Sequence, residues 1–165
     1  ATVTDTYSTA DVTADGHRQA GGVIGITGRG STTDRVYAAG AVETVGQPNA
    51  GGITGYAYTT TTVQNSIALN PSVIAESQAS RVVGRVLNGD TATMVNNYAI
   101  ETLQVEGESV TEEGPNTQRG ATLTADEATT AQTFIEQLGW DFDTVWTWNA
   151  ETQRPMLINA PEENA

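Results

Sequence analysis

Ala20-Gly21-Gly22-Val23-Ile24-Gly25 recurs as Ala50-Gly51-Gly52-Ile53-Thr54-Gly55 and again, altered, as Ala79-Ser80-Arg81-Val82-Val83-Gly84. Thirty residues separate Gly25 from Gly55, and twenty-nine separate Gly55 from Gly84. A fixed period in this range is the signature of a repeat architecture. Each phrase reads as a strand. Val23, Ile53 and Val82 fill one column, with glycine two residues on, and alternation puts both columns on one face, expected to point inward. The other face carries Gly22, Gly52 and Arg81, then Ile24, Thr54 and Val83, and is expected to tolerate polar groups. Gly25, Gly55 and Gly84 weaken a strand unless the chain bends or another backbone comes close there.

A second phrase keeps step with the first. Asp34-Arg35-Val36-Tyr37-Ala38 matches Gln64-Asn65-Ser66-Ile67-Ala68 and Val95-Asn96-Asn97-Tyr98-Ala99, and Val3 to Ser8 falls in the same register upstream. The fold expected is an all-β, parallel β-solenoid of about three 30-residue coils, because no single repeat could bury its apolar face alone. Successive coils would hydrogen-bond at ~4.8 Å. Tyr7, Tyr37, Ile67 and Tyr98 would then form one ladder, and Asn65 and Asn96 a short amide ladder. The first half-repeat lacks a Gly-Gly phrase, which suggests a piece of a longer array.

In chain order, residues 1–105 are expected to form the solenoid, residues 106–160 a C-terminal cap and residues 161–165 a tail. Turns are expected at Gly46-Gln47-Pro48-Asn49, after Leu69 at Asn70-Pro71, and at Asn88-Gly89-Asp90. Residues 106–120 read as an acidic loop leaving the solenoid. Thr124-Ala125-Asp126-Glu127 fits a capping box, apolar residues follow at helical spacing, and Gly139 is a stop, which predicts a helix over roughly 125–138. All three tryptophans then fall within nine residues, at 140, 146 and 148. Alternation would put Trp140, Phe142, Thr144 and Trp146 on one face of a closing strand. Such a helix and aromatic strand would cover the open edge of a terminal coil.

The net charge is −13, and all seven basic residues are arginine. Residues 101–165 hold thirteen of the twenty acids and only two of the arginines. This balance argues against nucleic acid and against an anionic membrane surface. Without cysteine there is no disulfide, thiolate metal site or thiol nucleophile. No transmembrane run is present.

The two phrases together resemble the GLUG-motif repeats of bacterial cell-surface proteins. Gly21-Gly22-Val23-Ile24-Gly25 and Gly51-Gly52-Ile53-Thr54-Gly55 are similar to the first part of that motif. Asn65-Ser66-Ile67-Ala68 and Asn96-Asn97-Tyr98-Ala99 are similar to the second. The ending Gly139-Trp140-Asp141-Phe142, Val145-Trp146 and Pro155-Met156-Leu157 is similar to the segment that closes such arrays. The third repeat departs from the motif at Ser80-Arg81. The resemblance implies a secreted or wall-attached bacterial protein. Such repeats occur in adhesin-like proteins and in accessory regions of immunoglobulin-A-cleaving surface proteases. It supplies no catalytic residues.

Each chemical motif meets a plainer explanation. His17, the only histidine, lies in the polar turn Asp15-Gly16-His17-Arg18 and lacks triad or zinc partners. Gly25-Ile26-Thr27-Gly28-Arg29-Gly30 is not followed by Lys-Ser/Thr, so it is no phosphate loop. Gly28-Arg29-Gly30 with Asp34, Glu112-Glu113 and Asp141/Asp143 are weak calcium candidates. Asp5 and Asp34, one register position apart on successive coils, are the best carboxylate pair for glycan cleavage. The run Thr59 to Thr62 has Arg29-Gly30-Ser31-Thr32 opposite it, so no threonine ladder for ice binding forms. The tryptophan cluster near the end of a solenoid reads first as cap core; if one of the three is exposed and able to stack on a sugar, it is Trp148, beside the polar Asn149-Ala150-Glu151-Thr152 turn.

The function expected is a non-enzymatic structural or adhesive module of an extracellular, surface-attached bacterial protein, without cofactor, metal or catalytic residues. The alternative is an accessory substrate-binding module of an extracellular hydrolase, or a carbohydrate-active β-helix enzyme. The partner expected is a surface glycan or protein, with no nucleic acid and no membrane insertion. Ligand identity and oligomeric state stay open.

Overall fold

The computed structural model describes residues 1–16, 19–87, 91–110 and 114–160. His17, the 88–90 turn, Glu112-Glu113 and the 161–165 tail lie outside the described residues. The chain winds as a parallel β-solenoid. The first rung is β1 (Thr2–Ser8), β2 (Val12–Asp15), β3 (Gln19–Gly21) and β4 (Ile24–Thr27). The second is β5 (Thr32–Ala38), β6 (Val42–Val45), β7 (Asn49–Gly51) and β8 (Thr54–Ala57). The third is β9 (Thr62–Gln64), β10 (Ile67–Ala68), β11 (Ser72–Ile74), β12 (Gln78–Ser80) and β13 (Val83–Val86). A partial rung follows with β14 (Thr93–Val95), β15 (Tyr98–Ile100) and β16 (Gln104–Val105).

The sequence period is the stacking register. Tyr7 pairs with Tyr37, Tyr37 with Ile67 and Ile67 with Tyr98. Ala20 pairs with Ala50 and Ala50 with Ala79. The Gly-Gly phrase is not one strand, however. Each copy is two short strands joined by a bend, at Gly22-Val23 in the first. A Cβ on Gly21 would lie 2.1 Å from the carbonyl oxygen of Ile24, so in this copy the bend is too tight for any side chain. The bend breaks the alternation expected of a single strand. Ile53 and Val82 are buried as expected, but so are Thr54, Val83 and Arg81 from the face expected to be polar. The third glycine column is a close approach: a Cβ on Gly55 would lie 2.5 Å from the oxygen of Ala20 on the rung below.

A second regularity was not expected. Asp5, Arg35, Asn65 and Asn96 all have left-handed backbones, with φ of 50, 53, 49 and 55°. Asp and Asn tolerate this region better than most residues. The column bends every rung at one place and splits the long strand of the upper rungs into β9/β10 and β14/β15. Its side chains stack: Asn96 Nδ2 donates to Asn65 Oδ1 at 3.0 Å, and Asn65 Nδ2 to Asp34 Oδ1 at 2.8 Å. The amide ladder therefore exists and ends on a carboxylate.

The two ends of the solenoid differ. On the first rung Val12 is half-exposed, whereas its stacking partner Val42 is wholly buried. Val42→Ala should cost roughly 2 kcal/mol in chemical denaturation, and Val12→Ala clearly less. Equal costs would show that the first rung is as enclosed as the second. At the other end, residues 106–110 and 114–120 do not leave the solenoid. After the tight hairpin β16–β17 (β17, Glu108–Ser109), the chain returns across the last rung. Gln118 O accepts from Val82 and Val83 N–H at 3.1 Å, and Pro115 O from Asn97 N–H at 2.7 Å. A third acceptor, Asn116 Oδ1, takes Asn96 N–H at 2.9 Å. Edge donors that would otherwise stand open are thus satisfied. Strand β18 (Ala121–Leu123) completes this plug by pairing with β15.

Arg81 explains the altered third repeat. Its side chain is 2% exposed and points into the plug. Nε donates to Arg119 O at 2.9 Å, Nη1 to Thr122 Oγ1 at 2.9 Å and Nη2 to Gly120 O at 2.6 Å. Below it the column must be glycine because the next rung lies on top; here the plug leaves room for a side chain.

The C-terminal segment then lies along the flank of the solenoid, with the plug already over its end. The expected helix is two short ones, α1 (Ala125–Ala128) and α2 (Ala131–Glu136), broken at Thr129-Thr130. The capping box of Thr124 and Glu127 is formed, and Gly139 has φ +68°. Strands β19 (Trp146–Asn149) and β20 (Arg154–Leu157) form an antiparallel hairpin. Between α2 and β19 the chain turns, because Asp141 Oδ1 takes the N–H groups of Asp143 and Thr144 at 2.8 and 2.9 Å. Trp140 to Trp146 is therefore not an alternating strand, and Thr144 faces solvent.

Candidate functional site

Among the described residues, two places bring chemistry-bearing side chains together. The first is the flank. Tyr7 and Tyr37 stack with centroids 5.0 Å apart and planes 6° from parallel. Trp140 and Trp146 stack at 4.4 Å and lean on this pair. The segment descends the left-handed column with one polar contact to a rung at each of three levels. Asn96 Nδ2 donates to Gln137 O at 2.8 Å, Trp140 Nε1 to Asn65 O at 2.8 Å and Trp146 Nε1 to Asp5 Oδ1 at 3.2 Å. Tyr37 Oη donates to Pro155 O at 2.7 Å. Trp140 and Trp146 are buried, and Trp148 alone of the three is half-exposed, against Phe134 at 5.9 Å.

Asp5 and Asp34 do lie on adjacent rungs, but Arg35 sits between them. Its Nε reaches Asp5 Oδ1 at 2.8 Å, and Nη1 bonds Asp34 Oδ2. Asp34 Oδ1 is taken by Asn65. Burial pushes the Asp5 carboxyl up, but hydrogen bonds from Arg35, Thr4 and Trp146, with the arginine charge, outweigh it and hold the group below its ordinary 3.8. A general acid needs the opposite shift. Arg35 joins the two carboxylates into one ion cluster, and Asp5 in it also accepts from Trp146 of the flank.

The sign of the pH effect follows. A carboxylate with a lowered folded-state pKa stabilises the fold above its unfolded value, and that contribution is lost as pH falls through the folded value. Asn suits the left-handed backbone of position 5 and keeps an oxygen for Trp146. Asp5→Asn should therefore cost under about 1 kcal/mol at neutral pH, because the cluster is partly solvated. Its stability should fall less steeply than the parent's below about pH 4. Superimposable acid-denaturation curves would remove Asp5 from the account.

The remaining calcium and phosphate candidates are absorbed locally. Asp141 is held below its usual value by the Thr144 hydroxyl and the Thr144 and Asp143 N–H groups, which occupy its oxygens. Gly30 is a left-handed turn glycine whose N–H meets Thr60 Oγ1 at 3.1 Å. Thr61 Oγ1 donates to Gly28 O, so the threonine run is a turn-to-turn contact. Among the described residues, no three His, Cys, Asp or Glu side chains gather as a metal site would need, and no helix is long and apolar enough to cross a membrane.

The second place was missed in the sequence. An open cleft of about 790 Å³ lies where the third rung meets the plug. It is lined by Glu76, Ser77, Gln78 and Arg85 of the third rung, by Glu106 at the β16–β17 turn and by Gln118 and Arg119 of the plug. A smaller recess of about 310 Å³ continues past Ser80 and Arg119 to Ser109. The Glu106 carboxylate is anchored by Ala75 N–H at 2.6 Å, and Ser80 Oγ donates to Gln118 O at 2.9 Å. The Arg85 guanidinium lies 5.7 Å from the centroid of the Tyr56 ring, which meets Tyr58 edge-on at 5.2 Å. The available signal was departure from the repeat: Arg85 stacks on Tyr56 and Ile26, and Ser80 on Gly51 and Gly21.

These features define the chain as a plugged, side-braced β-solenoid. No family model matches it, and the comparison with curated proteins finds no match. Among solved structures it is similar to the crystal structure of a candidate immunoglobulin A1 protease from Bacteroides ovatus, with a TM-score of 0.72 and 23% identity. The match covers 95% of this chain and 48% of that one, so the chain spans about half the length of its neighbour. At this identity the likeness establishes the fold.

Proposed function

We propose that the chain is a non-enzymatic, ligand-presenting module of an exported bacterial surface protein, of the GLUG-repeat kind. The observation that carries this reading is the fate of the carboxylate pair. Asp5 and Asp34 are neutralised by Arg35 and built into the joint between flank and rungs, while polar side chains gather instead around an open cleft. Stacked rungs and a braced flank suit a stiff arm that holds a binding face away from its attachment point. The motif supports the same reading, since its glycines fall where two backbones nearly touch.

The test is antibody labelling of intact producing cells. Surface labelling that disappears when external protease is added is expected; labelling only after lysis would overturn the reading. Glycan or peptide cleavage by the purified chain that is abolished in Asp34→Ala would overturn the non-enzymatic part.

A second reading is an accessory arm of an extracellular protease. It is favoured by the description of the structural neighbour and by this chain matching only part of it. Saturable binding of the purified chain to immunoglobulin A1, without cleavage, would select this reading over general adhesion.

A further inference from the structure

We propose that the cleft between the third rung and the plug binds a short neutral oligosaccharide, held by the side chains of Glu76, Gln78, Arg85 and Gln118. This rests on the binding-module reading above and names its ligand class.

Much of the lining is already used by the fold. Ser77 Oγ donates to Pro48 O at 3.3 Å and Ser80 Oγ to Gln118 O at 2.9 Å. Glu106 Oε1 takes the Ala75 N–H at 2.6 Å, and Arg119 is engaged as well. Among the described residues, the side chains of Glu76, Gln78, Arg85 and Gln118 are left without a hydrogen bond or ion pair. Three belong to the third rung and one to the plug, so the set is complete only where the two meet. Arg85 is also a departure from the repeat, standing on an exposed position of β13 where the lower rungs have Tyr56 and Ile26. Arg81 holds the plug through three hydrogen bonds, whereas Arg85 makes none to it. Its guanidinium rests beside the Tyr56 ring, which limits its rotamers and leaves its N–H groups open to a ligand.

The uncommitted set carries no net charge: one carboxylate, one guanidinium and two amides. An anion entering the cleft meets Glu76 and Glu106, and a cation meets Arg85. Like charges brought together in a binding site cost affinity. An apolar ligand would strip water from all four groups and return no hydrogen bonds. A neutral ligand dense in hydroxyls meets neither cost. Each hydroxyl both donates and accepts, so it can give to Glu76, take from Arg85 and do either with the amides.

The rest of the lining separates a sugar from a peptide. Added peptide strands dock on free sheet-edge groups, with pockets for alternate side chains. Here the edge N–H groups of Val82 and Val83 already bond Gln118 O. The apolar part of the lining is Ala75, Ala79 and Val86, side chains that frame no deep apolar hole. The cleft volume of about 790 Å³ lies within the range of small-molecule sites, about 300–1,000 Å³.

The experiment is isothermal titration of the purified chain, in mildly acidic buffer, with two neutral trisaccharides and a charged analogue of each. Galactotriose is set against trigalacturonic acid, which has carboxylates in place of hydroxymethyl groups. Cellotriose is set against triglucosamine, which has ammonium groups in place of hydroxyls. Saturable binding of at least one neutral sugar, about tenfold tighter than of its charged analogue, is expected. Gln78→Ala and Arg85→Gln should each weaken it several-fold. Gln78 has no partner in the fold to lose, so Gln78→Ala should melt like the parent, and its loss is then one of contact. Glu76→Gln should narrow the penalty against trigalacturonic acid, a change that a merely structural role would not produce. Trp148→Ala, on the flank, should bind normally. Binding of neither neutral sugar, tighter binding of a charged analogue, or binding unchanged by Gln78→Ala and Arg85→Gln together would each overturn the proposal. Tighter binding of triglycine than of either neutral sugar would overturn the ligand class. Surface labelling is unaffected by all these outcomes, so a failure here is distinguishable from failure of the module reading.

Discussion

Gly52→Ala is expected to abolish the cooperatively folded solenoid. A Cβ at this position would lie 2.1 Å from Arg81 O, 2.6 Å from Asn70 Oδ1 and 3.0 Å from the Cβ of Ala68. None of these can swing away. Arg81 O belongs to the backbone of the next rung. The Asn70 carboxamide is tied by its Nδ2 to Gly40 O at 2.7 Å, and Ala68 is clamped in β10 between Ala38 and Ala99. Relief requires the second and third rungs to part, while ladder hydrogen bonds hold neighbouring rungs near ~4.8 Å. The cost should exceed about 4 kcal/mol, a large share of the 5–15 kcal/mol that stabilises an ordinary domain. Gly28→Ala is the control: nothing lies within 4 Å of its added Cβ. Circular dichroism under urea should show a parent-like transition for Gly28→Ala and none for Gly52→Ala. A Gly52→Ala transition within about 1 kcal/mol of the parent would mean that the rungs do not approach as described.

That contrast also shows what a sequence with a period makes legible. Stacking puts equivalent residues in one column, and a column that touches backbone must keep the same residue type, so Gly22 and Gly52 recur at fixed spacing. The tyrosine and asparagine ladders were legible for the same reason. The left-handed column was hidden because Arg35 stands between Asp5 and Asn65 and does not look like a turn residue. The plug was hidden because its contacts are made by main-chain oxygens of Pro115 and Gln118, which any residue could supply. The bend at Gly22-Val23 was read as strand because alternation and a two-strand corner give the same apolar pattern over so few residues. The cleft is built from residues on the third rung, the β16–β17 hairpin and the plug, so no local motif could announce it; its trace is the loss of repetition at Ser80 and Arg85.

Trp146→Ala should produce the second large effect, and of a different kind. The indole is wholly buried, stacks on Trp140 at 4.4 Å, touches both rings of the Tyr7–Tyr37 pair and donates to Asp5. Truncating a buried tryptophan costs about 3–5 kcal/mol. Here that cost falls on the joint between flank and rungs, since the ladders among the rungs do not pass through Trp146. The near-ultraviolet aromatic signal should therefore collapse while the far-ultraviolet β signal remains. Asp5 reports the same event independently. One of the hydrogen bonds that lower its carboxyl comes from Trp146, so its titration should move up toward the ordinary 3.8 in the variant. Trp148→Ala, half-buried and without that bond, should cost about 1–2 kcal/mol and leave Asp5 where it was. If Trp146→Ala instead lost both signals together, flank and rungs would be one cooperative unit. The C-terminal segment would then be part of what holds the solenoid itself together.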